Sequence, residues 1–459
     1  MRLPEAVLLL IGSLGLSGCV ASSQSPPVRW TTGFWFWEGS SLDPAYSGET
    51  VDVLFAQVGT IRSDRDRRSA AEPAERWNTY GRWPDQMPPA RDYWLVYRYE
   101  RQGVPGLPAA VQLAGEISHL QAEARERNLH VVGIQLDIDS PTSALPRYAE
   151  FLREVRKDLP EGFEISITAL LDWFRSGTAI DDVIKHVDKF VPQFYDIGDP
   201  AVFYRASAIA ARIDSAHWGP LFNRFHKRFR IGISSFGRVR LIANETPAQT
   251  GYRRIAFYGD LQPLDVAVNP AFELRAERNQ ADETVLNYRA TRKLRIDYTN
   301  INPGDTLQFI VSTPEAIRAA VYSAREIKGS NAGVVVFRWP AERESWAMQP
   351  DEVLDAAGVG AAGPNRQDRV HVVAGDCAAV ECVDVYLESA GPLSPRVARY
   401  RIHASTQLEY FLPEKNVPVR LAGASDMEVS LPPYCGRGRL YIGRAVSLRR
   451  AEFTVEVEP

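Results

Sequence analysis

The stretch Val131-Val132-Gly133-Ile134-Gln135-Leu136-Asp137-Ile138-Asp139-Ser140-Pro141 decides how the chain is read. It has the composition of a buried β-strand that runs out into two carboxylates. Side chains alternate faces along a strand, so Gln135, Asp137 and Asp139 point one way and Ile134, Leu136 and Ile138 the other. A strand in a covered parallel sheet is normally apolar on both faces. Here one face ends in amide, acid, acid. Two acids one pleat apart repel when both are charged, and burial raises at least one pKa. Such a pair is costly unless it is partnered or used. The bland reading is a structural pair tied to backbone or to an arginine such as Arg98.

Outward from this stretch, strands alternate with helical patterns. Thr32 to Trp37, Val51 to Ile61 and Tyr93 to Glu100 read as strands one to three. Glu164 to Leu170, Phe190 to Asp196, Arg230 to Phe236 and Val334 to Trp339 read as strands five to eight. Helical spacing appears over Pro108–Asn128, from Ser140 to about Lys157, over Asp181–Val187, around Val202–Ile213 and over Pro314–Glu326. Crossovers long enough for helices indicate a parallel α/β sheet, and eight such units predict a (β/α)8 TIM-type barrel. The competing architecture, an open doubly wound sheet, lacks support from any GxGxxG or GxxxxGKS loop.

The barrel is expected over residues 31–352, with a β-rich insertion at 238–313 between strand seven and the last barrel helix. A linker follows at 353–368. Short strands at hairpin spacing then predict a β-sandwich over 369–459. Its lack of an extended aromatic row favours packing over glycan binding. The polar loop from Arg62 to Arg91 carries Trp77, Tyr80 and Trp83 and is a natural place for substrate contacts.

The amino terminus has its own logic. Ala6 to Leu16 is an apolar run behind Arg2, too short to span a bilayer and suited to a signal-peptide core. Leu16-Ser17-Gly18-Cys19 follows and resembles the bacterial lipobox, which implies a signal peptide over 1–18, acylation of Cys19 and a tether over 19–30. With Val20 and Ala21 behind the cysteine, the resemblance implies the outer membrane, on its periplasmic side or at the cell surface. Cys377, Cys382 and Cys435 then sit in an oxidising compartment, with Cys377–Cys382 and Cys377–Cys435 as competing pairs. No metal-ligand spacing appears among the cysteines or the seven histidines, and no cofactor is expected. A net charge of −4 without a basic stripe argues against nucleic acid. Ten Trp, eighteen Tyr and nineteen Phe are compatible with stacking on sugar rings.

The strand-four stretch resembles the DG-x-D-x-D-x-E motif of family-18, chitinase-type glycoside hydrolases. Gly133, Asp137 and Pro141 match, while Gln135 stands at an expected Asp and Asp139 at the expected catalytic Glu. Gln193-Phe194-Tyr195-Asp196 looks like that family's strand-six ending, and Trp339 sits where its pocket-floor Trp is expected. The resemblance implies Asp139 as acid, Asp137 as its charged neighbour, and Tyr195 and Asp196 in the catalytic group. The wider pocket would take in Glu38, Gln57, Arg98, Gln135, Gln193, Arg338 and Trp339, and the partner would be a carbohydrate. Asn302-Pro303-Gly304-Asp305 and Phe337-Arg338-Trp339-Pro340 also look like hallmarks of an uncharacterised family of bacterial lipoproteins. Two functions are open: a lipid-anchored glycoside hydrolase on a polysaccharide or envelope glycan, and a non-catalytic glycan-binding or scaffold protein.

Overall fold

The computed structural model describes residues 29–458 apart from 43–45, 47, 64–75, 102, 196–212, 245–254, 258–262, 279–283, 297–298, 342–343, 345–346, 360–367, 378–380, 390–395 and 435–436. Eight parallel strands close into a barrel, in chain order around the ring. They are Thr31–Phe36, Val51–Thr60, Ala90–Tyr99, Val131–Ile138, Glu164–Ala169, Lys189–Pro192, Arg228–Ser234 and Asn331–Phe337. The eight expected strands are all present. Strand six is shorter than expected, and Gln193 continues only as a single bridge to Gly232.

Outer helices cover strands three to five at Leu107–Glu126, Leu145–Lys157 and Ile180–Lys185. Helix Leu145–Lys157 shows why the sequence folds this way. Tyr148, Phe151, Leu152 and Val155 fall on one face and are fully buried, and Pro146 in the first turn leaves no helical hydrogen bond unmade. A short 3-10 turn at Thr142–Ala144 precedes it. Among the described residues, no helix follows strands one and two, which depart from the regular alternation. The expected helix around Val202–Ile213 falls mainly outside the described residues, and a helix not expected from the sequence follows at Ser215–Asn223.

Of the loop expected to carry substrate contacts, residues 64–75 lie outside the described residues, while Trp77, Tyr80 and Trp83 fall within them. Trp83 is buried and its Nε1 donates to the Leu120 carbonyl at 3.0 Å, so that end of the loop packs on an outer helix. The insertion forms a five-stranded antiparallel sheet with Thr306–Val311 at its centre. Helix Pro314–Glu326 returns the chain to strand eight, capped by the Thr313 hydroxyl, which accepts from the Ala316 amide. Helix Pro350–Ala356 runs into the stretch expected to be a linker. Two four-stranded sheets then face each other around a separate core that includes Tyr400, Ile402, Met427 and Val429. Leu264 of the insertion is buried in that second core. Cys377 and Cys382 are disulfide-bonded, with Cα atoms 6.0 Å apart. Cys435 lies outside the described residues, as do Cys19 and the whole 1–28 segment.

Candidate active site

Parity along strand four builds the site. Ile134, Leu136 and Ile138 are fully buried in the large core between the strands and the outer helices. Gly133, Gln135 and Asp137 therefore face the lumen. Gly133 has to be glycine, since a Cβ there would lie 2.2 Å from the Glu164 carbonyl oxygen and 2.9 Å from the Trp94 ring. Trp94 stacks on Phe55 with ring centroids 5.7 Å apart, and Phe55 meets Trp35 at 6.0 Å. These rings, with Val53, Val96, Val191 and Val335, form a second, inner cluster that fills the lumen.

Gln135 ties that aromatic layer to the acids. Its Oε1 accepts from Trp35 Nε1 at 2.5 Å and its Nε2 donates to Ser166 Oγ at 3.2 Å. Both ends of a wholly buried amide are thus satisfied, as burial of a polar group requires. One pleat further, Asp137 is 7% exposed and accepts from Thr168 Oγ1 at 2.7 Å. Register places Arg98 beside it, with Nε 3.9 Å from Asp137 Oδ2, the outer limit of an ion pair. The guanidinium also lies over the Trp37 ring, 5.9 Å from its centroid.

Asp139 is the first residue past the strand and is exposed at the carboxyl end of the barrel. Ser140 behind it is buried, and its carbonyl accepts from Trp173 Nε1 at 2.8 Å, which fixes the turn. Burial raises the Asp137 carboxyl from 3.8 to about 6, and the charge of Asp139 adds to the rise. Thr168 and Arg98 oppose it. The Asp139 carboxyl is raised too, by partial burial, with Arg98 pulling the other way. Like charges this close share protons, so the two titrate as a pair. Tyr195 is held well above the ordinary phenol value by burial first and then by Asp137 and Asp139. It therefore stays a hydrogen-bond donor at any physiological pH.

Tyr195 stacks on Phe337 at 5.2 Å and meets Trp35 edge-on at 6.1 Å. Phe337 in turn contacts Trp37 at 5.8 Å and Phe236 at 5.3 Å. The wall of the mouth is thus aromatic on the strand one, six and eight side and acidic on the strand four side. This is the end of the barrel at which such folds keep their chemistry.

The structure brings some sequence-assigned residues together and separates others. Gln57 is half-buried and its Oε1 accepts from the Glu38 amide at 2.9 Å, while the Glu38 side chain is exposed. Gln193 acts on the Tyr195 phenol. Arg338 is engaged with Glu344 at 2.9 Å. Asp196 lies outside the described residues. Trp339 has to be corrected. It is not a pocket floor but is buried in the outer core against Phe34, Phe36 and Tyr46, with its Nε1 donating to the Ser41 carbonyl at 2.9 Å. Strand eight ends at Phe337, and the Trp339 amide turns to bond the Trp35 carbonyl at 2.8 Å. Phe337 holds the lumenal place that the sequence reading gave to Trp339. The reading also missed Trp35, Trp37, Thr168 and Ser166. The two hydroxyls had a usable signal, since they sit at alternate positions on a strand that pairs in register with Gln135.

Fold and site together define a (β/α)8 barrel with a pair of acids, both raised by burial, at its carboxyl mouth. Residues 95–295 match the family described as a domain of unknown function (DUF3142), a range that contains strand four. Among solved structures the chain is similar to the spore cortex-lytic enzyme SleL of Bacillus megaterium, at 12% identity over 72% of this chain and 74% of that one, with a TM-score of 0.42. It is also similar to a chitinase of Rhizomucor miehei, at 10% identity over 71% of this chain and 98% of that one, TM-score 0.43. A chitinase of Chromobacterium violaceum gives 10% identity over 74% of this chain and 100% of that one, TM-score 0.40. Curated protein sequences give no match.

Proposed function

We propose that the chain is a glycoside hydrolase acting on a polysaccharide or envelope glycan, with Asp139 as general acid. The observation that carries this reading is the Asp137–Asp139 pair, raised in pKa and set beside the Tyr195 phenol at the barrel mouth. Glycoside cleavage needs a carboxylic acid that still holds its proton near neutral pH. Asp139 is the solvent-facing member and donates that proton to the leaving oxygen. Asp137, fixed by Thr168 and Arg98, keeps the pair's charge in place. The family-18 resemblance implies a substrate whose own acetamido group attacks the anomeric carbon, with the Tyr195 hydroxyl holding the acetamido oxygen. The aromatic wall of Trp37 and Phe337 offers faces for sugar rings.

A second reading has a specific support. Asp139 stands at the expected catalytic Glu, one methylene shorter, and a misplacement of about 1 Å can cost about 10²-fold in rate. On that reading the barrel binds glycan without cutting it, as a scaffold. Release of reducing ends from a glycan panel, wild type against Asp139→Asn, separates the two. Turnover that survives the substitution removes Asp139 as the acid, and saturable binding without turnover in wild type favours the scaffold. We place the protein at the outer membrane through an acylated Cys19. Metabolic labelling with an alkyne fatty acid, lost in Cys19→Ser, tests that.

A further inference from the structure

The opposite end of the barrel holds a second concave site. A cavity of about 160 Å³ opens at the amino ends of the strands, lined by Arg29, Arg91, Asp92, Lys189, Arg228 and Arg230 with Thr31 and Ala332. That is room for roughly five waters at about 30 Å³ each, or for one tetrahedral oxyanion. Five cations reach this cavity from three different strand starts and from the entry segment. The carboxylates near them are fewer and already engaged. Asp52 takes Arg29 at 3.4 Å and Arg91 at 3.1 Å. Asp92 takes Arg91 at 3.4 Å and His130 at 2.9 Å. Glu164 is paired with Lys189.

Those pairs account for Arg29, Arg91 and Lys189 as a lattice closing the barrel floor. They do not account for Arg230 and Arg228. Arg230 is only 9% exposed, and its Nε donates to Thr31 Oγ1 at 3.0 Å. Among the described residues its terminal nitrogens form no ion pair with a carboxylate, and the residue lines the cavity. A buried guanidinium without a counter-charge is costly, because buried charges are normally paired. Burial pushes Arg230 down to about 10, against the pull of Asp92, Glu164 and Asp52. Arg228 sits two residues earlier on the same strand, exposed at the rim. A planar guanidinium fork matches two oxygens of a phosphate, and the surrounding excess of positive charge favours a doubly charged anion over a carboxylate.

We propose that this amino-terminal mouth is a binding site for a phosphate group, of a lipid head group or of a soluble phosphate, with Arg230 as its central contact and Arg228 at its rim. The chain enters strand one at Thr31 from this face, twelve residues after Cys19. At about 3.5 Å per residue, a chain anchored there, as the proposed lipid anchor would have it, keeps the mouth within roughly 42 Å of the lipid surface.

The test uses the full chain. Inorganic phosphate is titrated calorimetrically against wild type, Arg230→Gln and Arg228→Gln, with chloride at matched ionic strength as the control for screening. Saturable binding is expected in wild type, weakened about tenfold or more in R230Q and several-fold in R228Q. Because R228Q alters an exposed side chain, it keeps the test valid should R230Q fail to fold. Sedimentation with vesicles of phosphatidylglycerol and phosphatidylcholine separates the sources. For a lipid head group, wild type pellets, R230Q does so about tenfold more weakly, and inorganic phosphate competes. For a soluble ligand, phosphate binds while wild type and R230Q pellet alike. Wild type showing no saturable phosphate binding, or both variants binding as wild type does, overturns the proposal.

Discussion

Replacing Asp137 with Asn should stabilise the protein at neutral pH and leave it almost unchanged in acid. The folded chain raises this carboxyl from 3.8 to about 6, chiefly by burial and then through Asp139. Below about pH 3.8 the group is protonated whether folded or unfolded, so it costs nothing. As pH climbs through about 6, the folded chain must give up a proton in a place hostile to the charge. The stability lost across that window is about 3 kcal/mol, from 1.36 kcal/mol for each pH unit between the two values. Asn cannot ionise, keeps the shape and can still accept from Thr168. Because part of the rise is mutual with Asp139, the net gain expected in the variant is about 2–3 kcal/mol at pH 8, shrinking toward zero at pH 4. Urea unfolding at a series of pH values measures it. Tryptophan emission is the right probe, because all ten tryptophans lie between Trp30 and Trp346 and none is in the sandwich. A difference that stays constant with pH, or a variant less stable than wild type at pH 8, refutes the reasoning.

On the proposed function the same pair also governs catalysis. Asp139→Asn should lower glycan turnover by 10²-fold or more while shifting the unfolding midpoint little, read by reducing-end assay and urea titration side by side. Wild-type turnover should fall as pH rises and the pair, both of whose carboxyls are raised by burial, loses its proton; a rate flat from pH 5 to 8 would count against an acid role. Trp35→Phe strands Gln135 Oε1 in the lumen and should cost about 2–4 kcal/mol of stability, from an unpaired buried acceptor plus lost ring volume. Cys382→Ser opens a loop of only a few residues and should cost about 2 kcal/mol at most, seen in the melting temperature under non-reducing conditions.

Strand four was legible because its two faces differ. Three fully buried aliphatics at alternate positions left Gln135 and Asp137 no choice but the lumen. Strand one was not legible in the same way. Every residue of Thr31–Phe36 is buried, on both faces, so the sequence carried no hint that Trp35 goes inward and Phe34 and Phe36 outward. Parity failed at strand eight for a different reason. Counting by twos from Val335 reaches Trp339 only if the strand continues, and it stops at Phe337. A tryptophan expected to greet a sugar is instead mortar between strand one and the outer layer. The floor cations gave no signal because Arg29, Arg91, Lys189 and the Arg228–Arg230 pair lie far apart in the sequence, and only ring closure gathers them.

The insertion and the sandwich share more than a border. Leu264 is sunk in the sandwich core, and Arg437 of the sandwich reaches the Ala347 carbonyl at 3.0 Å and pairs with Glu352. The segment carrying Leu264 is spliced between the last two staves of the ring. Heat that loosens the carboxyl-terminal sheets therefore tugs directly on the closure of the ring, and the two halves of this chain should melt as one.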